Sequence, residues 1–187
     1  MFPIVGIAAL LVIAVFGPAK AQISTPIIVM GDSFGMGVGP SLKADRMFAQ
    51  TTPIPDHYSH PVPKHSIFVI SMGYNEKPSD SSLENRVKTL LDATQRLLPV
   101  AIVWMGPPCS TDPVRQAALV KIDAALMRYT YEWADRVKPR HFTYIKLVES
   151  DTGCSGLGRA KDMNTFSEAG NYSTAAKVRF VLKPLIP

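Results

Sequence analysis

The sequence predicts a three-layer α/β/α sandwich built on a parallel, flavodoxin-like sheet. Short apolar runs typical of buried strands alternate with longer segments of helical periodicity through residues 26–187. Such alternation favours a parallel sheet covered on both faces, and the preference for right-handed crossovers leaves few topologies. The chain has 187 residues, which is enough for one domain with a sizeable core.

The first half of the domain is predicted to begin with a strand over Pro26–Met30. Residues 35–49 follow as a glycine-rich turn that leads into a short helix. Four prolines in residues 50–66 exclude a regular helix there. A second clear apolar strand is predicted over Ile67–Met72.

The second half of the domain has clearer helix signals. Residues 81–84 have capping-box spacing, and the helix they begin stops before Pro99. A strand over Val100–Met105 follows, and Asp112-Pro113 supplies an N-cap and a first-turn proline for the next helix. One apolar stripe is predicted to face the core from this helix: Val114, Ala118, Ile122, Ala125, Tyr129 and Trp133. The last strand is Phe142–Val148, and a final helix covers about Glu168–Leu182.

The N-terminal segment is predicted to be a secretory signal peptide rather than part of this domain. Residues 2–16 are almost unbroken apolar sequence, and Ala19-Lys20-Ala21 has the small-x-small pattern of a cleavage site. We therefore expect residues 1–21 to be removed, leaving one exported domain over 22–187 with no stable membrane span. An uncleaved anchor is the alternative, although the apolar stretch is short for a span of about 20 residues.

Charge and cysteine content exclude some partners and predict a disulfide. The lysines and arginines are scattered, without the basic stripe or patch that nucleic-acid binding needs, so we predict no nucleic-acid partner. The sequence contains no CxxC motif and no His–Cys cluster, so we predict no metal site. Cys109 and Cys154 follow the third and fourth clear strands, so a parallel sheet brings them to one edge. An oxidising compartment permits a disulfide between them, and two free buried thiols are the alternative.

A serine follows the first strand, at the point where α/β enzymes expose a nucleophile. Gly31-Asp32-Ser33 breaks the apolar run into a tight turn at the carboxyl edge of the sheet. A solvated turn is the alternative interpretation. The adjacent Gly35-x-Gly37 fits the start of a dinucleotide fingerprint, but Pro40 stands where the third glycine belongs. We therefore predict no nucleotide or other cofactor.

Two sequence blocks resemble those of the SGNH (GDSL) hydrolases, a family of esterases and acetylesterases. Gly31-Asp32-Ser33 is similar to the first block of the family, and Gly73-Tyr74-Asn75-Glu76 is similar to its Gly-x-Asn-Asp block. The resemblance implies that Ser33 is the nucleophile and that Asn75 donates a hydrogen bond to the oxyanion. A fixed amide aimed at that developing charge lowers the barrier by roughly 3–4 kcal/mol. Gly31, Asp32 and Gly73 are predicted to line the same oxyanion and substrate site.

A third block, Asp162-Met163-Asn164-Thr165, is similar to the family's final Asp-x-x-His block. Asp162 stands in the place of the acid that orients the base, and Thr165 stands where the family has its histidine. A threonine hydroxyl has no pKa suited to a general base at neutral pH. We predict that Thr165 lines the substrate site or, because residues 165–168 have capping-box spacing, begins the last helix.

One of the four histidines of the chain could replace the missing base. His65 and His141 precede predicted strands, which puts them at the edge of the sheet opposite Ser33. His57 and His60 lie in the proline-rich segment, which can pass over Ser33. They are the candidate replacement bases, and a solvated loop position is the alternative for both.

These observations predict an exported serine esterase or acetylesterase with a degenerate triad, acting on an acylated glycan or a small ester. Its catalytic residues would be Ser33, Asp162 and either His57 or His60. The alternative is a catalytically inactive SGNH-like domain that binds an envelope glycan or a protein partner. A secreted structural protein that reuses the fold is a third hypothesis.

Overall fold

The chain alternates strands with helices throughout the part that the computed structural model describes, residues 25–49, 54, 61–148 and 166–185. The elements in chain order are β1 (Ile27–Gly31), α1 (Ser33–Leu42), β2 (Arg46–Ala49), β3 (Ile67–Ser71), α2 (Leu83–Gln95), β4 (Ala101–Met105), α3 (Pro113–Val137), β5 (Phe142–Ile145) and α4 (Glu168–Leu182). Among the helices of these ranges, none is long and apolar enough to span a membrane. The predicted signal peptide, residues 1–21, lies outside the described residues.

The five strands form one parallel sheet in the order β2-β1-β3-β4-β5. This order is that of flavodoxin-like folds, and the predicted three-layer α/β/α sandwich is confirmed. The chain leaves β1 for β2 on one side and then crosses back to β3 on the other. The carboxyl ends of β1 and β3 therefore flank the topological switch point, where open α/β sheets bind their ligands.

Each face of the sheet has its own hydrophobic core. Helices α2 and α3 cover one face and pack against each other, and α1 and α4 cover the other in the same way. Successive residues of β4 belong to opposite cores, with Trp104 on the α2–α3 side and Val103 on the α1–α4 side. All five residues of β3 and of β4 are buried, which is why their sequences are continuous apolar runs.

The region after β1 differs from the predicted turn and helix over residues 35–49. Helix α1 begins at Ser33, because the Asp32 side chain caps its first turn, and it ends where Lys43 adopts a left-handed conformation with φ 56°. Residues Arg46–Ala49 then form the edge strand β2 instead of continuing the helix. Three of its four residues are exposed although Met47, Phe48 and Ala49 are apolar, and this run of three is too short to mark a buried strand in the sequence.

The predicted stripe of α3 is correct in part: Ile122 and Trp133 are in the core, and Ala125 and Tyr129 pack against it. Val114 is 80% exposed, and of the six predicted residues only Ile122 and Trp133 are buried. The buried positions are Leu119, Ile122, Asp123, Leu126, Thr130 and Trp133. The helix turns its leucines towards the sheet, because they bury more apolar surface than the alanines of the predicted stripe.

Helix α3 has the N-cap that the sequence predicts, whereas α2 does not. The Asp112 carboxylate accepts a hydrogen bond from the Val114 N–H at 3.0 Å, and Pro113 occupies the first helical position, as predicted. At α2 the N-cap residue is Ser82, and its side chain makes no capping hydrogen bond. The Ser82 hydroxyl donates to the Asp80 carboxylate instead, so the predicted capping box does not form.

Candidate functional site

Ser33 is the first residue of α1, and it is exposed at the carboxyl edge of the sheet. Its turn is held by the Asp32 carboxylate, which accepts hydrogen bonds from the N–H groups of Phe34 and Gly35 at 3.1 and 3.4 Å. The Asp32 carbonyl accepts from the Met36 N–H at 3.0 Å and so starts the helical ladder. The capped helix start therefore fixes the backbone of Ser33.

The end of β1 approaches β3 too closely for any side chain at Gly31. A Cβ at this position would lie well inside van der Waals contact with the Ser71 carbonyl oxygen, and one at Gly35 would lie 2.8 Å from the Ser71 Cβ. A Cβ at Gly37 would meet the Asn171 amide of α4 at 2.5 Å. These glycines therefore allow α1 to pack closely against β3 and α4. Close packing explains the spacing of Gly35 and Gly37, so no nucleotide site is needed to explain it.

Asp32 is a buried carboxyl that joins the turn after β1 to the turn after β3. Burial raises its pKa from the usual 3.8 to about 6, and hydrogen bonds from Gly35, Phe34, Ser71 and Tyr74 lower it in part. The Ser71 hydroxyl donates to the Asp32 carboxylate at 3.4 Å, and the Asp32 N–H donates to the Ser71 carbonyl at 3.0 Å. The carboxyl therefore faces donors from both turns while it is only 7% exposed.

The turn after β3 depends on the conformation of Gly73. Its φ of +126° lies in a region that residues with a side chain rarely adopt, and a Cβ there would lie 2.5 Å from the Leu126 side chain. The Glu76 N–H donates to the Gly73 carbonyl at 3.2 Å and closes the turn. Asn75 is exposed at the outside of this turn.

The turns that carry Ser33 and Asn75 contact each other through their neighbouring aromatic residues. The ring centroids of Phe34 and Tyr74 lie 4.9 Å apart at an interplanar angle of 62°. This edge-to-face geometry is the favourable arrangement for two aromatic rings. The structure therefore brings Gly31, Asp32 and Ser33 to the same edge as the turn over residues 73–75, as the sequence predicts.

Glu76, which ends the turn after β3, belongs to a buried ion-pair network. Its carboxylate is 2% exposed and pairs with the Arg86 guanidinium of α2 at 2.8 Å, and Arg86 also reaches Asp80 at 2.5 Å. Both partners hold the backbone of Ile54: its N–H donates to Glu76 at 2.7 Å, and its carbonyl accepts from Arg86 at 3.0 Å. Sequence reasoning missed this network, because no local pattern pairs Glu76 with Arg86.

Several predicted site residues lie outside the described residues: Asp162, Thr165, His57, His60 and Cys154. One interpretation of Thr165 is nevertheless wrong. The N-cap of α4 is Ser167, whose hydroxyl accepts from the Gly170 N–H at 3.1 Å, so Thr165 is not the residue that caps the last helix. Phe166, which follows Thr165 in the chain, packs on Phe34 with ring centroids 4.8 Å apart.

The other two histidines lie at the amino ends of strands, as predicted. His65 precedes β3, and its N–H donates to the Leu97 carbonyl at 3.2 Å. His141 precedes β5, and its carbonyl accepts from the Ile102 N–H at 3.0 Å. Both are at the edge opposite Ser33, which excludes them as its general base.

Cys109 is fully buried in the loop after β4, at the same edge as Ser33, and it is not a free cysteine. The Gln116 side chain ties this loop to the end of the following one: it accepts from the Ser110 N–H at 2.8 Å and donates to the Val148 carbonyl at 3.1 Å. This arrangement is compatible with a bridge to Cys154, which stays a prediction.

An apolar groove of about 500 Å³ lies apart from these residues, between β5 and α4. It is lined by Thr143, Tyr144, Ile145, Ser173, Ala176, Lys177, Phe180 and Val181. The titratable side chains of this lining are Tyr144 and Lys177, and the Tyr144 hydroxyl already donates to Asp123 at 2.8 Å, so the switch point is the better candidate for a catalytic site. Within the described ranges, no group of three His, Cys, Asp or Glu side chains is arranged to hold a metal ion.

Comparisons with known proteins do not add to this geometry. No protein-family model matches the chain, and no curated protein matches it.

The buried network predicts that Arg86→Met destabilises the fold by about 3 kcal/mol, because the Glu76 charge loses its partner. Glu76→Gln combined with Arg86→Met should recover part of this loss, since Gln keeps an acceptor for the Ile54 N–H. Urea unfolding at pH 7 measures both variants. Lys88→Met is the control: its ion pairs with Glu84 and Glu132 are exposed, so it should cost less than about 1 kcal/mol. An equal loss in Arg86→Met and the control would contradict the network's importance.

The environment of Asp32 predicts a dependence of stability on pH. Because its folded pKa is about 6 and its usual value 3.8, the folded protein holds the proton more tightly. The free energy of unfolding should therefore fall as the pH rises from about 4 to about 6, by at most about 3 kcal/mol from this group. Asp32→Asn should remove that component and be the more stable protein at pH 7. Urea unfolding of both proteins between pH 4 and 7.5 isolates the difference, and parallel curves would exclude a raised pKa at Asp32.

Proposed function

We propose that the chain is an exported serine hydrolase that cleaves ester or acetyl groups from an acylated glycan or a small ester. One observation carries the proposal: an exposed serine begins a helix at the topological switch point of a flavodoxin-like sheet, and Asn75 follows the neighbouring strand at the same edge. The resemblance of both turns to SGNH hydrolase blocks supports the same chemistry.

Ser33 is the nucleophile in this proposal. Its hydroxyl gives its proton to the general base and attacks the ester carbonyl, and the oxyanion that forms accepts hydrogen bonds from the Ser33 N–H and the Asn75 side-chain amide. Collapse of this intermediate expels the alcohol, which takes the proton from the base, and water then hydrolyses the acyl-serine with the same base. The N-terminal end of α1 favours negative charge at this place, because the helix dipole is positive there. Donors fixed before the reaction lower the barrier without reorganisation. The Asp32 cap and the Gly73 turn supply that fixed geometry.

Asp162 orients the general base in this proposal, and chain connectivity favours His57 over His60 as that base. Ile54 is anchored by Glu76, the residue after Asn75, and His57 follows it by three residues, a reach of about 11 Å at most. His60 is bonded to Pro61, whose carbonyl accepts from the side chain of Arg46 at the first residue of β2. That end of β2 is the amino edge, opposite Ser33.

The second candidate function is a catalytically inactive SGNH-like domain that binds an envelope glycan or a protein partner. The observation that favours it is Thr165, at the position of the family's histidine. Loss of the histidine from a catalytic triad lowers kcat on the order of 10⁶-fold in subtilisin. The two candidates differ in whether Ser33 turns over an ester.

The hydrolase proposal predicts that the protein releases 4-nitrophenol from 4-nitrophenyl acetate and that Ser33→Ala lowers kcat by at least about 10⁴-fold. Asn75→Ala should lower kcat by about 10²- to 10³-fold, because one oxyanion donor is lost. Ser81→Ala and Asn85→Ala, which alter exposed residues near α2, are matched controls that should leave kcat unchanged. Full activity in Ser33→Ala would exclude this nucleophile.

The base assignment predicts that His57→Ala abolishes hydrolysis, whereas His60→Ala changes kcat/KM by less than about threefold. The pH profile of kcat/KM should show an acid limb near 6.5, the usual histidine pKa, that only the His57 variant lacks. Thr165→His tests whether restoring a histidine at the position of the family's base increases esterase activity. A large gain in a protein otherwise without esterase activity would favour the inactive-domain candidate over a working hydrolase.

A further inference from the structure

Arg115 lies against the turn that carries Asn75. It is the third residue of α3, half-buried, and its guanidinium carbon lies 5.1 Å from the centroid of the Tyr74 ring. The same ring contacts Phe34, the residue after Ser33, at 4.9 Å between centroids. The Tyr74 ring therefore lies between the Arg115 cation and Phe34, the residue that follows the proposed nucleophile.

The charge of Arg115 is not neutralised by a carboxylate in the described part of the chain. Arg86, Arg128 and Arg136 each pair with an acid, but none of the ion pairs in those ranges includes Arg115. The acids closest to it along the chain are otherwise engaged: the Asp112 carboxylate caps α3, and the Asp123 carboxylate accepts a hydrogen bond from the Tyr144 hydroxyl. Glu76, two residues after Tyr74, pairs with Arg86.

An arginine held over an aromatic ring is well suited to bind a carboxylate. A guanidinium that lies over an aromatic face keeps its N–H donors in its own plane, where they match the two oxygens of a carboxylate. The ring also restricts the side chain, so less conformational entropy is lost when an anion binds. Tyr74 is itself fixed by Phe34 and by the neighbouring Gly73 turn.

We propose that Arg115 binds a carboxylate of the substrate, and that the site therefore prefers carboxylate-bearing esters to neutral ones. This inference rests on the proposed hydrolase function and names its substrate class. The carboxylate belongs either to the acyl group, as in a dicarboxylic acid half-ester, or to the alcohol, as in an acetylated uronic acid. Arg115 is a specificity-determining residue in both cases.

The test compares kcat/KM for matched pairs of esters. Mono-4-nitrophenyl succinate against 4-nitrophenyl butyrate tests a carboxylate on the acyl side, and acetylated glucuronic acid against acetylated glucose tests one on the alcohol side. Arg115→Met, which keeps an apolar stem over Tyr74, should lower kcat/KM for the anionic member of one pair by about 10- to 100-fold. The neutral members should change by less than about twofold, and Arg115→Lys should retain part of the preference.

Arg128→Met is the matched control, because Arg128 also lies over a tyrosine of α3, 4.7 Å from the Tyr129 centroid. It should change none of these values. Equal losses on anionic and neutral esters in Arg115→Met would overturn the proposal, since Arg115 would then only support the turn. A wild-type protein without preference for either anionic ester would overturn it too.

A protein that hydrolyses none of the esters would refute the proposed function but would leave the carboxylate site open to a direct test. Glucuronate against glucose, and succinate against butyramide, titrated into the protein by NMR or calorimetry, supply it. Binding of the anionic member of one pair alone, lost in Arg115→Met and kept in Arg128→Met, supports the site. Equal binding of both members in each pair, or of none of the four compounds, overturns it.

Discussion

The close approach of β1 to β3 at Gly31 and Ser71 is the constraint on which the rest of the site depends. The two residues are register partners in the parallel ladder, and the space between them admits no side chain on Gly31. The ladder continues one residue further through the Asp32 N–H and the Ser71 carbonyl. Because the backbone of Asp32 is fixed in this way, its carboxylate is positioned to cap α1, and Ser33 follows as the first helical residue. The position of the proposed nucleophile is thus a consequence of strand packing.

Burial of the Asp32 carboxyl costs electrostatic free energy, but it also lets one side chain connect two turns. Removal from water disfavours its charge, and the N–H groups of the α1 start together with the Ser71 hydroxyl offset only part of that cost, which is why its pKa is raised. Those same donors come from two different turns, so one side chain fixes both. Glu76 has a similar role on the other side of Asn75, where its pairing with Arg86 and with the backbone of Ile54 anchors a segment distant in the chain. Two buried acids therefore hold the turns, and neither needs to take part in hydrolysis.

The strands and helix starts that depend on local sequence patterns are predicted correctly, whereas features that depend on contacts between different elements are missed. The strands β1, β3 and β4 are predicted because burial on both faces requires continuous apolar runs, and Asp112-Pro113 marks the start of α3 because capping is local. The edge strand β2 is missed since most of it is exposed and its hydrogen bonds to β1 decide its conformation. Glu76, in the turn after β3, and Arg86, on α2, lie ten residues apart in the chain, and Tyr74 meets Arg115 because the fold places the start of α3 beside the turn after β3. Their spacing along the chain reveals neither pair.

The residues that the turns need for packing differ from the residues that the proposed function uses. Phe34 contacts both Tyr74 and Phe166, so one aromatic cluster joins the turn after β1, the turn after β3 and the entrance to α4. Gly31 and Gly73 leave the space that these turns need, and the Asp32 side chain accepts hydrogen bonds from both turns. Ser33 and Asn75, by contrast, are exposed, and most substitutions at exposed positions outside such features change stability by less than about 0.5 kcal/mol. Their polar identities therefore have no explanation in core packing. Two exposed polar residues on a rigid scaffold at this edge of the sheet suit the proposed active site, which also needs the base that Asp162 would orient.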